Sequence, residues 1–180
     1  MEAGCAFTGH RPHKLPWGYN EADTRCVALK TVLKEQIIRL AEAGITDYFS
    51  GGADGVDCIA AWIVLELREK NPALRLHCVL PFEGQADKWS ASAQERYRLI
   101  LKQADSVEYV SRKYYDGCML ERNHRLVEVA GVLLAVYNGV RRSGTGATVN
   151  YARKMGREII VIDPATLLII HEGTTFDLKL

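Results

Sequence analysis

The chain has 180 residues, 48% hydrophobic and 25% charged, which is ordinary globular usage and a length that one core can serve. Lysine and arginine total 23 against 22 aspartates and glutamates, so a net charge of +1 gives no overall attraction to a polyanion or an anionic membrane surface, while local basic patches stay open. Five cysteines (Cys5, Cys26, Cys58, Cys78, Cys118), odd in number and without C-x-x-C spacing, argue against a disulfide framework and a zinc knuckle and fit a reducing compartment.

The first expected strand, residues 4–8, follows the opening Met-Glu-Ala without the basic start and long apolar stretch of a signal peptide. No apolar run reaches membrane-spanning length, so the expectation is a soluble, cytoplasmic protein with no membrane partner. Leu29, Val32, Leu33, Ile37 and Leu40 then form a helical stripe before Gly44. Residues 47–50 read as a strand. Val56, Ile59, Ala60, Ile63, Val64 and Leu67 form the next helix, which stops at Asn71-Pro72. A strand at 75–80 precedes Ser92-Ala93-Gln94-Glu95, which reads as a capping box for a helix through Tyr97, Ile100 and Leu101.

Strand 106–110, a helix over 119–130, strand 132–137, a helix from near Gly146 to Gly156, strand 158–162 and a last strand at 167–171 complete the series. Leu133-Leu134-Ala135-Val136 and Ile159-Ile160-Val161-Ile162 lack polar alternation, which requires burial on both faces. The expected fold is therefore α/β: a three-layer α/β/α Rossmann-like arrangement with a mostly parallel sheet. In such sheets ligands bind beyond the carboxyl ends of the strands, so the residues that follow each strand are where chemistry is sought.

After the first strand come Thr8-Gly9-His10-Arg11-Pro12, where Gly9 permits a sharp turn and Arg11 offers a forked donor to phosphate or carboxylate. A turn with a solvated arginine is the plainer reading. The second strand ends in Ser50-Gly51-Gly52-Ala53-Asp54-Gly55-Val56-Asp57, which is not a G-x-G-x-x-G fingerprint. Asp54 and Asp57 at a helix start either cap free amides or accept from a ligand. Their charge repels phosphate, so this loop is assigned to ribose hydroxyls or a base edge.

The fifth strand runs into Asn138-Gly139-Val140-Arg141-Arg142-Ser143-Gly144-Thr145-Gly146-Ala147-Thr148, where small and hydroxyl-bearing residues open a helix with no acid in its first turn. This is the better phosphate cradle, since backbone amides, hydroxyls and nearby arginines all donate. No lysine stands in Walker arrangement, which argues against a P-loop ATPase. After the third strand, Pro81 and Phe82 with Trp89 close behind supply the aromatic faces of Phe82 and Trp89 to a base, or else pack a loop onto the core. Arg122 and Asn123, near the start of the fourth helix, are placed to reach the same pocket.

Enzymatic signals are sparse: there is no G-x-S-x-G elbow and no H-x-x-x-H, so no metal site is expected. Asp54, Asp57 and His10 are the catalytic candidates, His10 being the histidine that clearly falls on the expected ligand edge.

Taken in order, Thr8–Pro12, Ser50–Asp57, Pro81-Phe82-Glu83-Gly84-Gln85 with Trp89, Glu121-Arg122-Asn123, and Gly139 through Ser143-Gly144-Thr145 to Tyr151-Ala152 resemble the YpsA-like family of bacterial proteins. That family belongs to the SLOG superfamily, with DprA and the LOG phosphoribohydrolases. The resemblance covers the chain from Thr8 to about Pro164. It implies one Rossmann-like SLOG domain over 1–180, binding a nucleotide or nucleotide-derived small molecule in place of any fixed cofactor, as in a sensor.

The phosphoribohydrolase branch carries P-G-G-x-G-T-x-x-E with a glutamate that acts in base removal. Here Gly144-Thr145 match the G-T, Thr148 falls at the glutamate, and Arg141-Arg142-Ser143 replace the first part. A nucleotide N-glycosidase is thus a second reading, which requires Asp54 or Asp57 as a substitute carboxylate. DprA-like binding of single-stranded DNA is a third, which wants a basic groove with stacking aromatics. Superfamily relatives often form dimers, so a homo-oligomer is consistent with the resemblance.

Overall fold

A computed structural model describes residues 4–173. Its seven strands form one sheet in the order β4-β3-β2-β1-β5-β6-β7. They are β1 (Gly4–Gly9), β2 (Asp47–Ser50), β3 (Arg75–Phe82), β4 (Ser106–Ser111), β5 (Val132–Val136), β6 (Glu158–Ile162) and β7 (Ile169–Glu172). All neighbouring pairs are parallel except β6 with β7. The helices are α1 (Thr24–Glu42), α2 (Val56–Arg68), α3 (Ala91–Gln103), α4 (Cys118–Val129) and α5 (Gly144–Lys154), with a 3-10 turn at Pro12–Lys14.

The two-residue period of the strands divides the interior into two cores. Cys5, Phe7, Leu134, Val136, Ile160 and Ile162 join one core with α1, α2 and α3 side chains such as Leu33, Val64 and Ile100. Ala6, Leu133, Ala135, Ile159 and Val161 face the other way, onto Leu126 and Val127 of α4 and Val149 and Ala152 of α5. β5 is buried at every residue, as its unbroken apolar run requires. This is the expected three-layer α/β/α fold. Full burial of side chains such as Phe7 or Leu134 is worth about 1.5–3 kcal/mol each.

Several boundaries differ from the sequence reading by one or two residues, and three have a clear local cause. The cap of α3 is Ser90, not Ser92: the Ser90 hydroxyl accepts the Ala93 amide at 3.3 Å. α5 begins at Gly144 and not near Gly146, because Ser143 adopts extended backbone and its hydroxyl accepts from the Gly146 amide. β7 starts at Ile169, since the chain turns at Leu167, where φ is 61° and the amide bonds back to Asp163 O.

β1 is central, and the chain builds β2, β3 and β4 on one side of it before α4 carries it across to build β5 on the other. The loops leaving β1 and β5 therefore diverge to opposite faces, which opens a crevice at their carboxyl ends. The β1 and β2 loops are locked together there. Gly55 has φ 98°, and a Cβ on it would lie 2.9 Å from the His10 carbonyl oxygen.

Candidate functional site

The crevice is a cleft of about 170 Å³. Thr8, Gly9, His10 and Arg11 reach it from the end of β1, and Ala53 and Asp57 from the β2 loop and α2. Met119, Arg122 and Asn123 enter from α4, and Ser143, Gly144 and Thr145 from the start of α5. Segments 51–57 and 143–148, far apart in sequence, thus contribute to one cavity. His13 and Lys14 also line it. Sequence reading passed over them, and over Met119; the signal available was Pro12, which starts the 3-10 turn that carries His13 and Lys14.

Arg122 and Asp57 form the floor. The Arg122 Nη1 donates to the Gly51 carbonyl and lies 3.7 Å from Asp57 Oδ2, while Nε donates to Asn123 Oδ1 at 2.8 Å. No described residue accepts a hydrogen bond from Nη2. Asp57 Oδ2 accepts from the Ala53 amide at 3.4 Å. Burial pushes the Asp57 carboxyl up from its ordinary value, against the pull of the Arg122 guanidinium. Burial likewise lowers Arg122, against the attraction of Asp57. Gly51 makes room for this pair: a Cβ there would overlap the Arg122 guanidinium.

His10 forms the wall between β1 and β5. It is 3% exposed, with Nε2 at 2.9 Å from Asn138 Oδ1 and Nδ1 at 3.5 Å from the Thr145 hydroxyl. Asn138 Oδ1 also accepts the Val140 amide at 3.2 Å, which fixes it as an acceptor. The Asn138 backbone amide approaches the same Nε2 at 3.4 Å, but the shorter 2.9 Å contact to an oxygen that can only accept requires the proton on Nε2, which leaves the Nδ1 lone pair toward Thr145. Burial lowers the His10 pKa, the Asn138 bond opposes this, and Lys14 and His13 add to the lowering.

The roof is the first turn of α5, which holds no acidic residue. Ser143 caps the Gly146 amide at 2.9 Å and donates to Val140 O at 2.8 Å. The amides of Gly144 and Thr145 have no acceptor within the helix, and the macrodipole makes this end positive.

Other residues singled out in the sequence lie elsewhere. Asp54 accepts from Arg96 at 3.1 Å and faces a separate hollow of about 290 Å³ beside Pro12 and Trp17. Thr148 is fully buried and its hydroxyl donates to Gly144 O at 2.9 Å, inside α5. Gly52, with φ 62°, does not line the cleft; a Cβ on it would meet Leu80 and Tyr97. Asn138 touches the site through His10, and the exposed Gly139 follows it. Pro81 and Phe82 end β3, where Phe82 meets Tyr114 edge-on, and Trp89 packs against Tyr97. Among the described residues no group of three or more His, Cys, Asp or Glu could hold a metal ion, and no helix is long and apolar enough to cross a membrane.

Comparison with known proteins finds likeness over most of the chain. The family model YpsA, described as the YspA SLOG family, matches residues 5–167. A UPF0398 protein of Brevibacillus brevis is 32% identical over 133 residues, covering 73% of this chain and 70% of the relative. A UPF0398 protein of Bacillus cereus is 30% identical over 154 residues, covering 84% and 83%. Among solved structures, DNA processing protein A (DprA) from Streptococcus pneumoniae aligns with a TM-score of 0.58 at 15% identity, covering 97% of this chain. The alignment spans 52% of that longer chain, so the likeness is one of fold.

Proposed function

Because the chain belongs to the YspA SLOG family, we propose that its β1/β5 cleft binds a nucleotide or nucleotide-derived small molecule, with the 180 residues acting as one cytoplasmic, sensor-like domain. One observation carries this reading: a single cavity joins the acid-free N-terminus of α5 to Arg11, Lys14, Arg122 and His10. Backbone amides and oriented cations are what a phosphate requires. The phosphate sits over Gly144 and Thr145, and the ribose faces Ala53 and Asp57. A cavity of about 170 Å³ is below the range of roughly 300–1,000 Å³ usual for whole ligands, so it takes the sugar phosphate and leaves the base at the mouth.

That size, with a net charge of +1, favours a small ligand over single-stranded DNA. Thermal shift against a panel of nucleotides tests the reading, since ligand at a hundred times its dissociation constant adds about 2.7 kcal/mol. A flat response to every member overturns it.

A second reading, nucleotide N-glycosidase activity, is favoured by one observation: Asp57 places a carboxylate in the cleft, and burial raises its pKa. Thr148 is shut inside α5 and Asp54 is held by Arg96, so the chemistry would fall to Asp57. Chromatography of nucleoside monophosphates after incubation decides it. Free base released by wild type and not by Asp57→Asn supports an enzyme, and none from either excludes it.

A further inference from the structure

We propose that the cleft selects a terminal phosphate monoester over a phosphodiester, and that His10 takes up a proton as the monoester binds. The inference rests on the reading of the cleft as a nucleotide site and adds the ionic form of the ligand.

Charge points to a dianion. Among the described residues that line the cleft, Asp57 is the only carboxylate, and it is committed to Arg122 and the Ala53 amide. Arg11, Lys14 and Arg122 oppose it, with the positive end of α5 above. Arg122 is 4% exposed and its Nη2 has no described acceptor, so a donor is built into the floor without a partner. A phosphodiester carries a single negative charge; a monoester carries about −1.5 to −2 near neutral pH, with a second pKa of about 6. The dianion uses more of this field.

His10 supplies the coupling. Its Nε2–H is held by the Asn138 side chain and its Nδ1 lone pair faces the hydroxyl of Thr145, a residue that lines the cleft in the first turn of α5. Charged and titratable groups meet the ring from each side: Lys14 and His13 from the 3-10 turn, neighbouring Arg11, and Tyr137 with its ring centroid 6.0 Å away. Asp57 and Arg122 complete the cleft opposite. Without ligand, burial and the nearby cations hold the ring neutral. A dianion over Gly144 and Thr145 offsets the positive field that disfavours the imidazolium. A proton then passes from solvent buffer to Nδ1, which changes from acceptor to donor toward a phosphate oxygen, and the Thr145 hydroxyl is released to donate as well.

Isothermal titration at about pH 7.5, where a monoester with a second pKa of about 6 is already a dianion, assigns any proton taken up to the protein. The ligands are nucleoside 5′-monophosphates, ribose 5-phosphate and 3′,5′-cyclic nucleotides, each in two buffers of different ionisation enthalpy. The expected result is at least tenfold tighter binding of the 5′-monophosphate than of the cyclic diester, with an enthalpy that changes with buffer. His10→Asn should bind more weakly and show no buffer dependence. NMR titration of the His10 ring in the wild type, with and without ligand, gives the same answer independently of that variant: its pKa should rise on binding.

Equal affinity for monoester and diester, absence of proton uptake, or uptake that persists in His10→Asn each overturns the inference while leaving nucleotide binding intact. Equal binding of ribose 5-phosphate and nucleotide supports the monoester claim and overturns a role for the base. No binding by any ligand overturns both readings together.

Discussion

The Arg122 guanidinium of α4 and the Asp57 carboxylate of α2 meet 3.7 Å apart with side chains only 5% and 6% exposed. The pair ties the two helix layers together through the ligand edge of the sheet, so the cleft and the fold share these two side chains.

Removing one member leaves the other charged and buried, which costs about 3–5 kcal/mol. Arg122→Met and Asp57→Asn should each lower the urea midpoint markedly, Asp57→Asn less because its amide can still accept from Ala53. The double variant should lose less than the sum. Additive losses would show that the two groups do not interact.

Gly51 and Gly144 make a contrasting pair. A Cβ at Gly51 strikes the Arg122 guanidinium, whereas one at Gly144 meets nothing within 4 Å. Gly51→Ala should therefore destabilise the protein. Gly144→Ala should leave the melting temperature unchanged or raise it, replacement of an unstrained glycine being worth about 0.4–1 kcal/mol, yet weaken ligand binding at least tenfold. Calorimetry with and without nucleotide separates the two effects.

Ser143 joins the cap of α5 to the β5 loop. Ser143→Ala removes the acceptor of the Gly146 amide and the donor to Val140, at a cost of about 1 kcal/mol. Chemical denaturation measures this loss, and Ser143→Asp, which keeps a capping acceptor, should recover most of it while repelling phosphate.

His10 links stability to pH. Its pKa in the folded protein lies below the ordinary 6.5, so the neutral ring is favoured by folding. The unfolded chain then binds the extra proton as pH falls below 6.5, and stability declines until the folded pKa is passed. Above 6.5 this contribution is constant. Urea midpoints between pH 5 and 8 should show a steeper acid-side decline for wild type than for His10→Gln; parallel curves would contradict the assignment.

The layers were legible because burial on both faces writes itself into composition: Leu133 to Val136 leave no polar position for solvent. Capping was less legible, since Ser92 has the Glu95 of a capping box and Ser90 does not, yet the backbone puts the cap at Ser90. In the site, the small residues at 143–145 mark a helix start and Gly51 marks a close approach. Pairing over distance is not written locally: nothing near Asp54 reveals that Arg96, 42 positions along the chain, draws it into another hollow. His13 and Lys14 look like solvated surface until the 3-10 turn bends them back over the cleft.

The most direct test of the central claim is an amide NMR titration of the full chain with a nucleoside 5′-monophosphate. The account expects the largest shift changes at Gly9, Ala53, Gly144 and Thr145, with the hollow around Asp54 and Trp17 unmoved. Saturable changes centred on that hollow, or none anywhere at millimolar ligand, would contradict it.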